Sequence, residues 1–421
     1  MATAAIIIVF VIGYLAIALE HVTKVNKASP ALITGVLCWT IYLLQSGDSE
    51  AATESLLHHL GDISSILFFL LGAMTIVELI DAHDGFDIIT ERITTRSKRK
   101  LLYIISFLAF FLSALLDNLT TSIVMVSLCA KLLQRKEDRL WFASMVIIAA
   151  NAGGAWSPLG DVTTTMLWIG GQITALNIIK MLIIPSIAVC LIPTLIIGYR
   201  FKGQETAKPL VSTTTDRERK HGKIVLSAGV GSLLFVPFFK TVTHLPPFMG
   251  MMMMVGFMWI ITTLIHKRKK YDYDLAKALE RVDSPSILFF LGILLAVSAL
   301  QSFGLLASLA TFLNTTLQND YLIGSTLGLL SAIVDNVPLV AAAQGMYDMS
   351  TYPTDHYFWE FLALTTGTGG SAIIIGSAAG VAVMGIEHIK FGWYLRKISW
   401  IAIVGFASGV AVFLLQRSII H

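Results

Sequence analysis

Apolar residues run in blocks along this chain, and blocks of about 17 or more can cross a bilayer as helices rising about 1.5 Å per residue. Such blocks fall at about 4–20, 30–45, 62–81, 141–170, 176–199, 222–240, 247–266, 283–305, 357–388 and 398–416. The blocks 141–170 and 357–388 are too long for one straight crossing, and glycine-rich stretches interrupt both. Two further apolar stretches, 101–130 and 322–346, behave differently. Each reads as a helix that enters the membrane, turns and returns.

The basic residues dictate that reading. Lys and Arg cluster in 24–27, 92–100, 131–139, 200–223, 267–281 and 390–397, which together hold 27 of the 30 basic residues. Basic clusters stay on the cytoplasmic side. The stretch 101–130 has a cluster at each end, so both ends are expected in the cytoplasm. No Lys or Arg lies between Arg281 and Lys390, so both ends of 322–346 are expected outside. Re-entrant backbone at membrane depth is tolerated only inside protein or beside water, which points to a solute pathway.

The chain also resembles itself. Asp62–Leu70 matches Asp283–Leu291 at seven of nine positions, and Ser113–Asn118 (SALLDN) matches Ser331–Asn336 (SAIVDN). Gly153, Gly154 and Gly160 match Gly369, Gly370 and Gly376. The offsets of 221, 218 and 216 drift as small deletions would make them. The expected organisation is a first repeat over 1–200, with five spans and the cytoplasmic-side hairpin 101–130. A cytoplasmic linker, 201–223, follows. A second repeat over 224–421 has five spans and the external-side hairpin 322–346. Five is odd, so the second repeat is inverted. The predicted fold class is an all-α polytopic membrane protein, an inverted-repeat secondary transporter with two re-entrant hairpins and two broken helices.

Composition narrows the function classes. Apolar residues make up 55% of the 421 and charged residues 14%, and mean hydropathy is +0.75. Soluble domains carry roughly 25% charge, so the partner expected is the lipid bilayer. A net charge of +3 suggests no nucleic-acid partner. No Lys or Arg precedes Ile6, so the first segment reads as a retained span rather than a cleaved leader. The three cysteines lie in apolar segments without disulfide or zinc spacing. No nucleophile–base pair or metal cluster sits at depth, so an enzyme is not expected.

Three carboxylates stand out. Asp117 and Asp335 sit at the hairpin tips, each followed by Asn, and Asp161 follows the break after Asn151. About ten helical residues precede that break, roughly 15 Å, which is mid-bilayer. A charge there is costly unless paired or hydrated. Capping of the returning arms explains part of the pattern, but capping needs no ionisable group. Asp62 and Asp283 look like N-caps at span starts, and His58 and His59 read as an outer-loop pair.

Hard cations take oxygen ligands. Asp117, Asn118, Thr120 and Thr121 supply them at one tip, Asp335 and Asn336 at the other. Asn151, Ser157, Asp161, Thr163 and Thr164 line the first break, and Thr366, Thr368, Ser371 and Ser377 the second. No Lys or Arg accompanies these oxygens in the motifs. The three carboxylates are expected to meet at one site, where sodium and protons compete.

Together the two D-N tips, the run Asn151–Thr164 (NAGGAWSPLGDVTT) and Thr366–Gly376 (TGTGGSAIIIG) resemble the NhaD-type sodium/proton antiporters. These belong to a superfamily that includes arsenite pumps and dicarboxylate carriers. The resemblance runs from about residue 30 to 416. It implies export of sodium, and of lithium, in exchange for protons by alternating access. It also implies a homodimer in the cell (inner) membrane and no cofactor beyond the transported ions. The residues matching the family's functional motifs are Asp117, Asn118, Asn151, Asp161, Thr163, Thr164, Ser331, Asp335, Asn336 and Ser371. The alternative is a superfamily carrier for another solute, such as arsenite or a carboxylate.

Overall fold

The computed structural model describes residues 2–86, 88, 93, 95–206, 216–265 and 275–420. The middle of the linker 201–223 and the start of the basic cluster 267–281 lie outside them. Every regular element among the described residues is a helix, apart from one isolated bridge between Ser97 and Glu205. Eight of these helices are long and apolar enough to cross a membrane.

Those eight differ from the blocks read off the sequence for stated reasons. The blocks 141–170 and 357–388 divide into half-helices, each lacking the length or apolarity of a lone span: Lys136–Ala155 with Val162–Ile169, and Tyr357–Gly369 with Ala378–Glu387. The first helix, Ala2–Ala18, falls just short of the length required. Lys98–Leu116 is long and apolar enough to cross, although it is the outgoing arm of a hairpin that returns as Asn118–Leu132. The second hairpin is Asp320–Leu330 and Asn336–Met346. Lys98 Nζ lies 2.8 Å from Asp138 Oδ2, so the two ends of the first hairpin return to one face. Tyr357 and Tyr352 donate to the two carboxylate oxygens of Asp320 at 2.6 and 2.9 Å, closing the second hairpin in the same way.

Helix packing without a hydrophobic drive relies on small residues at close crossings. Ala28–Ser46 lies along Ser284–Ser302, where Gly35 meets the Gly292 carbonyl and Gly292 meets the backbone of Ala31. Ala175–Arg200 lies along Ser399–Ile420, with Gly405 and Gly409 against Pro193 and Val189. Met251 is fully buried against Gly72 and fills this helix crossing as apolar packing.

The hairpins and broken helices interlock. Each outgoing arm packs on the broken helix of its own half: Lys98–Leu116 on Lys136–Ala155, and Asp320–Leu330 on Tyr357–Gly369. Each returning arm packs on the far half-helix of the other half. Asn118–Leu132 meets Ala378–Glu387, and Asn336–Met346 meets Val162–Ile169. Arg139 adds a bond to Glu387 at 3.1 Å across the halves.

Two local expectations are corrected. Asp62 caps nothing: its helix starts at Ser49, where Asp48 accepts from the amides of Glu50 and Ala51, and runs unbroken to Ala82. His58 and His59 are helical for the same reason, and His59 Nε2 lies 3.2 Å from Ser302 Oγ. Asp283 does cap, accepting from the Ser286 amide at 3.2 Å. A further amphipathic helix, Leu305–Leu317, precedes the second hairpin. It lacks a continuous apolar run and was not legible as an element.

Candidate functional site

The two breaks fold alike because their glycines let backbones touch. A Cβ on Gly153 would collide with the Phe110 carbonyl, and one on Gly369 with the Gly328 carbonyl. Gly154 and Gly370 abut the carbonyls of Gly160 and Gly376, and these last two press on the carbonyls of Ser113 and Ser331. Serine hydroxyls hold the same seams: Ser113 donates to the Ala150 carbonyl at 2.6 Å and Ser331 to the Thr366 carbonyl at 2.8 Å.

Each break restarts as a capped half-helix. Asp161 caps Val162–Ile169, its Oδ1 accepting from the Thr163 amide at 2.9 Å and the Thr163 hydroxyl at 2.8 Å. Ser377 caps Ala378–Glu387, accepting from the Gly380 amide at 3.1 Å. The hairpin tips aim their asparagines at the first of these caps. Asn118 Nδ2 donates to Asp161 Oδ2 at 2.7 Å. Asn336 Nδ2 reaches both Asp161 oxygens at 3.3 Å. Asn118 also donates to Asn151 Oδ1 at 3.1 Å, and Asn151 Nδ2 donates to Ser371 Oγ at 2.8 Å and Ser377 Oγ at 3.0 Å.

Thus Asn118, Asn151, Asp161, Thr163, Asn336 and Ser371 form one buried network with Ser377. The other candidates sit around it. Thr164 donates to the Asp161 carbonyl at 2.9 Å. The Thr121 hydroxyl is buried and has no hydrogen-bond partner among the described residues. Thr366 and Thr368 bond carbonyls of their own helix, at Leu362 and Leu364.

The expectation that three aspartates meet at one site needs correcting. Among the described residues no group of three His, Cys, Asp or Glu side chains is close enough to hold one ion. Asp117 turns back on its own arm, accepting from the Thr120 amide at 2.8 Å and the Thr120 hydroxyl at 2.9 Å. Asp335 caps its arm at the Val337 amide and receives Lys27 Nζ at 3.3 Å. The asparagines, not the aspartates, carry the tips to Asp161. A lysine does accompany these oxygens, contrary to the motif reading. In the sequence Lys27 is one member of a basic cluster, and no local signal separates it from Lys24.

The site's chemistry is that of oxygen ligands around one buried carboxylate. Among the described residues Asp161 accepts only from neutral donors, two side-chain amides, one hydroxyl and one backbone amide. Isolated buried charge is costly. The neutralisers that suit such a set are a proton and a small hard cation.

Comparison with known proteins gives a consistent picture. The profile of the citrate transporter family (CitMHS) matches residues 6–369. The chain is 46% identical to Sodium/proton antiporter 1 of Arabidopsis thaliana, over 97% of this chain and 72% of that protein. It is 45% identical to Sodium/proton antiporter 2 of the same plant, over 97% and 98%. The Na(+)/H(+) antiporter NhaD of Vibrio cholerae is 31% identical over 98% of this chain and 91% of that protein. The fold resembles the YdaH transporter of Alcanivorax borkumensis, with a TM-score of 0.57 at 12% identity, over 88% and 90% of the two chains.

Proposed function

The chain belongs to the citrate transporter (CitMHS) family and, within it, to the sodium/proton antiporters of the NhaD type, and on that footing we propose that it exchanges sodium for protons across a membrane. One observation supports this beyond kinship: the buried Asp161 carboxylate has two hairpin amides on it and no cationic side chain among the described residues. Sodium and a proton each neutralise that carboxylate, and only one does so at a time. Binding one releases the other, so exchange needs no separate proton channel.

Asp161 is the cation- and proton-binding carboxylate of this reading. Asn118, Asn151, Asn336, Thr163, Ser371 and Ser377 supply or orient neutral oxygens around it. Asp117 and Asp335 add negative charge at the two tips. Lithium, also small and hard, is carried on the same oxygens. The hairpins and broken spans, residues 101–199 and 322–416, move as a unit against a scaffold made by the remaining spans. The protein works as a homodimer in the cell membrane, with residues 92–100 and 131–139 cytoplasmic and 347–356 external. A carboxylate substrate is disfavoured, because Asp161 would repel it.

The test uses purified protein in liposomes with a preset pH gradient. Sodium and lithium should each collapse the gradient, and potassium and citrate should leave it. Collapse by citrate alone would replace this reading with the carboxylate carrier. Single cysteines at 98 and 136 should label from one side; labelling from opposite sides would end the sidedness proposal.

A further inference from the structure

Lys27 opens the helix Ala28–Ser46, and its ammonium is nearly out of solvent. It lies 3.3 Å from Asp335 Oδ2, with side-chain exposures of 16% and 14% for the pair, and 4.1 Å above the buried ring of Phe289. The cation–π contact and the ion pair hold it at the tip of the second hairpin. Its own backbone amide donates to Glu20 Oε1 at 3.1 Å.

Two clefts border this one side chain. The first, of about 190 Å³, is lined by Glu20, Asn26, Lys27, Asp283 and Ser286 and reaches Leu119, beside the first hairpin tip. The second, of about 50 Å³, is lined by Tyr14, Glu20, Lys27 and Asp335. A cavity needs only about 10–15 Å³ to admit a water, so both have room for water. Lys27 lines both clefts and stands beside Asp335 in the smaller one. It has room in the wider cleft, and two carboxylates there, Glu20 and Asp283, to receive it.

We propose that Lys27 is a tethered counter-cation that competes with sodium for Asp335: sodium arriving at the second hairpin displaces the ammonium into the wider cleft, and its return helps expel sodium. This rests on sodium/proton exchange as the function and adds a residue that sets sodium affinity. A carboxylate at the tip is neutralised by one cation at a time. The lysine keeps Asp335 paired when sodium is absent, so an unpaired charge is never left at the tip. A site must bind its ion tightly enough to take it and weakly enough to release it, and a competing ammonium lowers affinity without removing a ligand. Among the described residues no lysine or arginine pairs with Asp117 at the first hairpin, where Thr120 meets both carboxylate oxygens.

The full chain is tested in liposomes at one fixed pH, with two readouts. One is the initial rate of sodium-driven proton movement, and the other is sodium-dependent thermal protection of the purified protein. In Lys27→Gln the half-saturating sodium concentration should fall about fivefold by both readouts, and the maximal rate should fall because release slows. In Lys27→Arg, which keeps the charge and adds a two-pronged fork, it should stay at the wild-type value or rise. A purely structural lysine would instead lower the maximal rate with half-saturation unchanged, or raise half-saturation in both variants, and either result overturns the proposal. Should Lys27→Gln fail to insert, Lys27→Met gives the same neutral comparison, and a drop in half-saturating sodium in Lys27→Arg would by itself contradict competition. Absence of sodium-driven exchange in the wild type would instead overturn the antiport reading.

Discussion

The two hairpin tips carry the same Asp-Asn pair and are wired differently. Asp117 sits at φ 95°, a conformation L side chains rarely adopt, and its turn is a single residue between two helices. Asp335 sits at φ −49° after a four-residue turn over 331–334. The cause is local. Leu115 and Leu116 favour helix and carry the first arm to the tip, whereas Ile333 and Val334 are β-branched and less helical. After each Asn the chains diverge again: Leu-Thr-Thr gives Asp117 a hydroxyl, and Val-Pro-Leu gives Asp335 none. The second oxygen of Asp335 is instead met by Lys27.

The breaks show the same division. Asp161 and Ser377 occupy equivalent caps, and Asn151 stands where the other half has Gly367 at the offset of 216. At the breaks the first half thus supplies the carboxylate and the Asn151 amide, with the Thr163 hydroxyl, while the second half supplies the hydroxyls of Ser371 and Ser377. Backbone geometry is shared between the halves, through the glycine seams, while chemistry is not. The lesson is that the duplicated scaffold sets positions, and divergence at a few of them sets charge.

Changes at the caps should expose this asymmetry most. Asp161→Asn should lose sodium-driven proton movement to background while still inserting, and Ser377→Asp should not restore it in that variant; restoration would mean that the caps are interchangeable. The shared seam comes next. Gly153→Ala and Gly369→Ala should each cost about 3 kcal/mol of stability, since the displaced neighbour is backbone; melting curves in detergent that leave either variant at the wild-type midpoint would break the symmetry of the scaffold. The tips should then separate. Asn118→Ala, which removes the 2.7 Å bond to Asp161, should reduce exchange about 30-fold, as loss of a hydrogen bond to a charged group does. Asn336→Ala, with two bonds at 3.3 Å, should cost about threefold. Initial rates in liposomes decide the order. The smallest effect is expected for Ser377→Ala, about twofold, because Asn151 keeps Ser371 as acceptor.

Much of this was legible in the chain because it is written locally. The D-N tips, the paired glycines and the basic clusters at both ends of 101–130 place hairpins and breaks without reference to the rest of the fold. What could not be read was direction. Asn336 points at Asp161 while Asp335 caps its own arm and meets Lys27, 308 residues away in sequence, and nothing near the tip marks that partner. Hydropathy also says where a helix is buried and not where it starts, so the polar stretch from Ser49 to Asp62 carries no sign that it continues the span as one helix. The helix Leu305–Leu317 escaped for the opposite reason, being amphipathic and only 13 residues long.

The central claim is that Asp161 holds sodium and the proton by turns. The direct measurement is proton release on adding sodium to purified protein in weakly buffered detergent solution, at several pH values. The account predicts release from the wild type, with the half-saturating sodium concentration rising as pH falls, and no release from Asp161→Asn. Sodium-induced release from a folded Asp161→Asn protein, at wild-type amount and half-saturation, would contradict it.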